Sequence, residues 1–230
     1  LPNSAFRGCT ITTFDCQVTS FSINLDDLPF HDSTITTLIL GSSLLLTTSG
    51  TFAGSDITTV DLTSVRYSYS NNDIFKDAKI SAIKFNKDST TVFSSLFQNC
   101  EITKVDLAQY PNIETIGSSA FKDSKIDEIT ISNNLKTIGA NSFQNSFVNI
   151  EFSKFTNLEK INANAFQHAT ITPTSQEFPS LLNSIGNEAF YETSLTSITF
   201  SENNNHLSIG QSSFKDILTL TQATIHAKSI

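Results

Sequence analysis

The chain has 230 residues, a net charge of −8, nineteen phenylalanines, and neither methionine nor tryptophan. Only two arginines, Arg7 and Arg66, are present, so the clustered basic residues that nucleic acid and anionic membranes require are missing. No apolar run approaches the roughly 18 residues needed to span a bilayer, while the length is ample for a large core.

From the amino terminus onward, the predicted elements hang on a column of phenylalanines: Phe6, Phe30, Phe52, Phe75, Phe97, Phe121, Phe143, Phe166, Phe190 and Phe214. Successive gaps run from 22 to 24 residues. A period of this size marks a stack of small units, none of which can bury its apolar face alone. Apolar residues follow each ring at fixed places: Ile35, Leu38 and Leu40, then Ile57, Val60 and Leu62, then Ile80, Ile83 and Phe85. Ile102, Val105 and Leu107 continue the series, as do Ile126, Ile129 and Ile131, and later Leu195, Ile198 and Phe200. Their spacing and β-branched character predict one short strand per unit. Stacked along the array, these strands predict one long parallel sheet with neighbours about 4.8 Å apart.

Other columns predict turns. Gly117, Gly139, Gly186 and Gly210 each precede a ring by four places, with Asn71 and Asp26 in that column elsewhere. Because Gly, Asn and Asp tolerate positive φ, the column reads as a left-handed turn. Gly8, Asp32, Gly54, Asp77, Asn99, Asp123 and Asn145, two places after the ring, read as a second turn. The place after that is small, as in Cys9, Ser33, Ser55, Ala78, Cys100 and Ser124. A compact helical or 3-10 stretch is expected to end at each ring. Three units are irregular. The segment after Phe143 is one residue short, with Phe147, Ile150 and Phe152 as its apolar set, and that after Phe214 is one long. After Phe166, Pro173 with polar Thr174 and Gln176 predicts an interruption of the sheet.

The pattern I-x-x-[IV]-x-[LFI] followed by L-x-x-I-G-x-x-A-F-x-[DN]-[SC] resembles the BspA-like leucine-rich repeat, and the resemblance extends over the whole chain. It implies an α/β solenoid, a curved leucine-rich-repeat array of about ten repeats. The parallel sheet would lie on the concave side, with short helical or 3-10 turns elsewhere. Residues 1–230 read as a single domain, and the lack of a polar cap at either end predicts a segment of a longer array. Members of the family are mostly secreted or surface-exposed proteins of bacteria and parasitic protists, and several are adhesins that bind host proteins, so the resemblance implies such a role here.

Chemistry-bearing residues are few. Cys9 and Cys100 share the small column and Cys16 falls in a buried strand column, so all three read as packed thiols. His31, His168, His206 and His226 fall in different units and columns, and no HExxH, GxSxG or Cys/His arrangement occurs. No catalytic residue, metal site or cofactor is predicted. The outward strand positions carry a Thr-rich face with an interrupted charged track of Asp15, Asp61, Lys84, Lys104, Asp106, Glu128 and Glu151. Solenoids commonly bind partners over such a face. The expected function is therefore a non-enzymatic protein- or glycan-binding module, by resemblance a secreted or cell-surface adhesin. The alternatives are an intracellular scaffold built on the same repeats and, third, a β-helix polysaccharide-processing enzyme. The last needs convergent Asp with Arg or Lys, and arginine is nearly absent.

Overall fold

The computed structural model describes residues 4–17, 22–23, 29–41, 45–46, 50–66, 73–201 and 206–226. The ten phenylalanines from Phe6 to Phe214 stack nearly parallel, with successive ring centroids 4.9 to 5.8 Å apart. Rings Phe30 through Phe190 of this column are fully buried. Stacked rings add attraction beyond their area burial, so the column is the axis on which the coils are threaded.

On one side of the rings lies an eight-stranded main sheet: Thr10–Cys16, Thr34–Gly41, Asp56–Ser64, Lys79–Lys84, Glu101–Asp106, Lys125–Thr130, Phe147–Asn149 and Thr170–Thr172. Its neighbours are parallel and in step, with Ile35 opposite Ile57 and Ile57 opposite Ile80. The strands do not alternate throughout. Thr58 and Thr59 both face outward between buried Ile57 and Val60, and the pairing skips the sixth place after the ring. A six-stranded sheet of two-residue strands, from Thr91–Val92 to Ser208–Ile209, runs along another side of the coils.

The predicted single long sheet is broken. Past Pro173 a separate three-stranded parallel sheet forms from Ser175–Phe178, Ser197–Phe200 and Gln222–Ile225. Proline brings no N–H to a ladder. One coil earlier, the short unit leaves the sheet after Asn149 and forms a 3-10 turn at Phe152–Lys154. Gln176, the polar misfit of the sequence pattern, is buried there. Its Oε1 accepts from the Phe152 amide at 3.0 Å, and its Nε2 donates to Ile150 O at 2.9 Å and Pro173 O at 2.5 Å. The side chain supplies hydrogen bonds that the interrupted ladder cannot. Phe152 fills the space beside the break, with its ring 5.1 to 5.7 Å from Phe155, Phe166, Phe178 and Phe190.

Several sequence expectations are corrected. Among the described residues, the segments leading to the rings are hydrogen-bonded turns, and Phe152–Lys154 is the one helical segment. The described residues form a parallel-sheet solenoid with eight turns in its main sheet and almost no helix. Glycines 117, 139, 186 and 210 do not have positive φ. They are needed for close approach, since a Cβ on Gly139 would sit 2.6 Å from Ile116 O and one on Gly117 2.6 Å from Val92 O. Asn71 and Asp26 lie outside the described residues.

The turn two places after the ring is left-handed as expected, for example at Asp32, Asp77, Asp123 and Asn145 with φ of 57°. A second left-handed column stands two places before the ring, at Ser95, Ser119, Asn141, Asn164, Glu188 and Ser212. Serine and glutamate carry no sequence signal for that conformation. Phe147 is also misplaced by the sequence pattern. Val148 fills the buried column opposite Ile126 and Ile171, which turns Phe147 outward.

Candidate functional site at the sheet break

The outward side chains near the carboxyl ends of the main strands meet their neighbours across the rungs. Asp15 lies opposite Ile39, and Ile39 opposite Asp61, so Asp15 is cut off from the remaining charges. Asp61 lies opposite Lys84, with Nζ 3.8 Å from its carboxylate. Lys104 pairs with Glu128 on the next strand at 2.9 Å, and Thr130 donates to Asp106 at 2.5 Å. Gln109 donates to the second Asp106 oxygen at 2.8 Å. Glu151 is held by Lys154 at 2.7 Å and by Ser153 at 3.2 Å.

These contacts tune the groups. Burial pushes the Asp106 carboxyl up, but Thr130, Gln109 and the Lys104 charge outweigh it and hold it below the usual carboxylate range. The hydrogen bond from Lys154 lowers Glu151, and the bond to Glu128 raises Lys104. Asp106, Glu151 and Lys104 therefore stay ionised at neutral pH.

Where the chain leaves the sheet after Asn149, the shortened rung opens a depression of about 480 Å³. Glu128, Thr130, Asn133, Asn149, Glu151 and Lys154 line it, with Ile129 and Ile131 adding apolar surface. Two of the seven residues singled out from the sequence, Glu128 and Glu151, thus converge. Lys104 and Asp106 adjoin through their contacts with Glu128 and Thr130, whereas Asp15, Asp61 and Lys84 lie on earlier rungs. Lys154 and Asn133 were missed, because the period gives no sign of a 3-10 turn in place of a strand. The mixed polar lining suits reversible recognition of a polar surface. It holds no pairing of nucleophile and base.

The remaining candidates stay apart. Cys16 and Cys100 are buried, and burial raises the Cys16 thiol to about 12 and Cys100 well above its ordinary value. Cys9 is exposed, contrary to the packed thiol expected. Its column packs onto the preceding coil, as Cys100 Sγ does on Phe75 O at 3.2 Å, and Cys9 belongs to the first coil described. His31 lies beside Asp32 at 2.7 Å and His168 beside Glu192 at 3.0 Å, while His206 and His226 are exposed. Among the described residues, no group of three or more His, Cys, Asp or Glu side chains is placed to hold a metal ion. No helix among them is long and apolar enough to cross a membrane.

A model of the BspA-type leucine-rich-repeat region matches residues 1–126 and 114–230, with six copies. No curated protein matches the chain. Among solved structures, a leucine-rich-repeat protein from Bacteroides ovatus aligns with a TM-score of 0.55 at 14% identity, over 94% of this chain. The chain spans 63% of the length of that protein.

Proposed function

The chain belongs to the BspA-type leucine-rich-repeat family, and from that premise we propose that it is a non-enzymatic binding module that takes a partner protein on the outward face of its main sheet. The observation that carries this reading is the convergence of Lys104, Asp106, Glu128, Thr130, Glu151 and Lys154 on and beside one depression. Parallel strands about 4.8 Å apart display these groups at fixed spacing, so little side-chain order has to be gained on binding. Both signs of charge are present, which favours a partner with a complementary mixed surface and gives orientation more than raw affinity.

Within this reading the protein is a secreted or cell-surface adhesin, and its partner is a host or matrix protein. Family membership and an extended sheet face support that. The free thiols Cys16 and Cys100 suit the second reading, an intracellular scaffold, because unpaired cysteines persist best in reducing compartments. Antibody labelling of intact, unpermeabilised cells separates the two, and staining only after permeabilisation selects the scaffold.

The face itself is tested with the combined variant Lys104→Ala, Glu128→Ala, Glu151→Ala. Binding to an immobilised panel of matrix proteins should fall at least about tenfold at an unchanged circular dichroism spectrum. Full binding by that folded variant removes the sheet face from consideration.

A further inference from the structure

A second recess lies at the other end of the same strands, where each coil turns into the main sheet. It measures about 360 Å³ and is formed by Asp77, Asn99, Glu101, Asp123, Asn145 and Phe147, with Lys125 beside them. Glu101 and Asp106 are the two ends of one strand; at about 3.3 Å per residue the recess is roughly 16 Å from the charged track. The two recesses share no lining residue.

Phe147 is the unusual member. In its column the neighbouring strands carry Lys125 and Thr170, and it is the one large apolar side chain there, 38% exposed. Its ring is not needed for the core, because Val148 fills the buried place beside it. An exposed ring at the end of a polar trough gains by being covered.

The polar members are held in place by the backbone. Asp77, Asn99, Asp123 and Asn145 occupy the left-handed position of four successive coils, with φ of 56° to 57°. They form an alternating acid–amide row that spans about 14 Å at one side chain per rung. Asn145 donates to Asp123 at 2.7 Å and Asn99 donates to Asp73 at 2.7 Å, which fixes the orientation of both amides. A carboxylate can accept several hydrogen bonds, and an amide both donates and accepts, so each retains capacity after these contacts.

Vicinal hydroxyls of a sugar match such a row, since each hydroxyl donates to one side chain and accepts from the next. The C–H face of a pyranose covers a phenyl ring, and successive residues of a linear glycan advance by close to one rung. The charge selects among sugars. Three carboxylates, Asp77, Glu101 and Asp123, line the recess, and Lys125 is already engaged by Asp127 at 3.1 Å. Sulfated or sialylated chains are repelled.

We propose that this trough binds a neutral hexose oligosaccharide laid along the solenoid, with its end residue on Phe147 and its hydroxyls on Asn145, Asp123 and Asn99. The site is independent of the sheet-face reading. Saturation-transfer NMR on the full chain with cellotetraose, mannotetraose and laminaritetraose tests it. At least one of these probes should receive saturation, and its signal should fall about tenfold in Phe147→Ala and in Asn145→Ala. Glu151→Gln, in the other depression, should leave the signal unchanged. Phe147→Ala should keep the native thermal midpoint, because the ring points out of the core. The proposal is overturned if none of the three sugars receives saturation, or if the Phe147→Ala signal equals that of the native chain. Binding of a Lys-rich peptide alone, with all three sugars inert, overturns it as well.

Discussion

Asp106 shows how a single outward carboxylate is fixed by its rung neighbours. Thr130 and Gln109 each donate to it, and Lys104 stands close enough to add its charge. These contacts outweigh burial and leave the folded carboxyl below its ordinary range. A depressed folded pKa contributes stability that is present above the unfolded value and is lost as pH falls through the folded one. Asp106→Asn should therefore lower the thermal midpoint at neutral pH and converge with the native protein in strong acid. A constant offset over the whole titration would contradict that assignment. The small column after each ring follows the same local logic: Ser55 Oγ and Ser124 Oγ donate to the ring-residue carbonyl of the preceding coil at 2.7 and 2.6 Å. A small side chain with a polar γ atom tethers one coil to the next. This explains why serine and cysteine interchange there and why Cys100 is a structural thiol, while Ala78 and Ala169 meet the size requirement alone.

At the scale of elements, the break after Asn149 is the feature that makes a site. An uninterrupted rung would place a strand where the depression now lies. Gln176 makes the break tolerable by bonding Ile150 O and the Phe152 amide, on either side of Glu151. Gln176→Leu keeps the volume but strands both backbone groups in a buried place, which costs about 1–3 kcal/mol. Amide exchange at Phe152 should quicken well beyond that at Ile102 or Ile126, which sit in intact rungs. Equal exchange at all three would mean that Gln176 does not hold the turn. The sequence pattern marks Gln176 only as a misfit, because periodicity reports which places are apolar and not what a polar residue there will reach.

Across the whole molecule, two features run past the break where the main sheet does not. The six-stranded sheet is continuous from Thr91–Val92 to Ser208–Ile209. The ring column is continuous too, with Phe166 5.0 Å from Phe143 on one side and 5.2 Å from Phe190 on the other. In a repeat array, stability is a sum of unit and nearest-neighbour terms, so the coupling between the two halves depends on these contacts. Phe166→Ala removes a fully buried ring and should cost about 3–5 kcal/mol. Urea unfolding followed by amide exchange should then show Glu101–Asp106 and Ser197–Phe200 losing protection together. If only one of them opened, the halves would be separate units joined by little more than the chain.

The sequence by itself determined the repeat, the ring column, the buried strand places and the family. All of these rest on periodic burial, which every unit repeats and which any one unit therefore reports. The outward charges Asp15, Asp61, Lys84, Lys104, Asp106 and Glu128 could likewise be placed on one face, because each lies beside a buried strand place. Only the tertiary structure decided which of them meet, because that depends on where a unit departs from the period. Phe147 keeps the regular outward place of its column. It is beyond Asn149 that the unit runs one residue short, which puts Phe152 in a turn and opens the depression between Glu128 and Glu151. Tertiary contact also reassigned the glycines. Gly139 is required by the Ile116 carbonyl of the coil beside it, a neighbour 23 residues away in the chain, and not by the conformation of its own backbone.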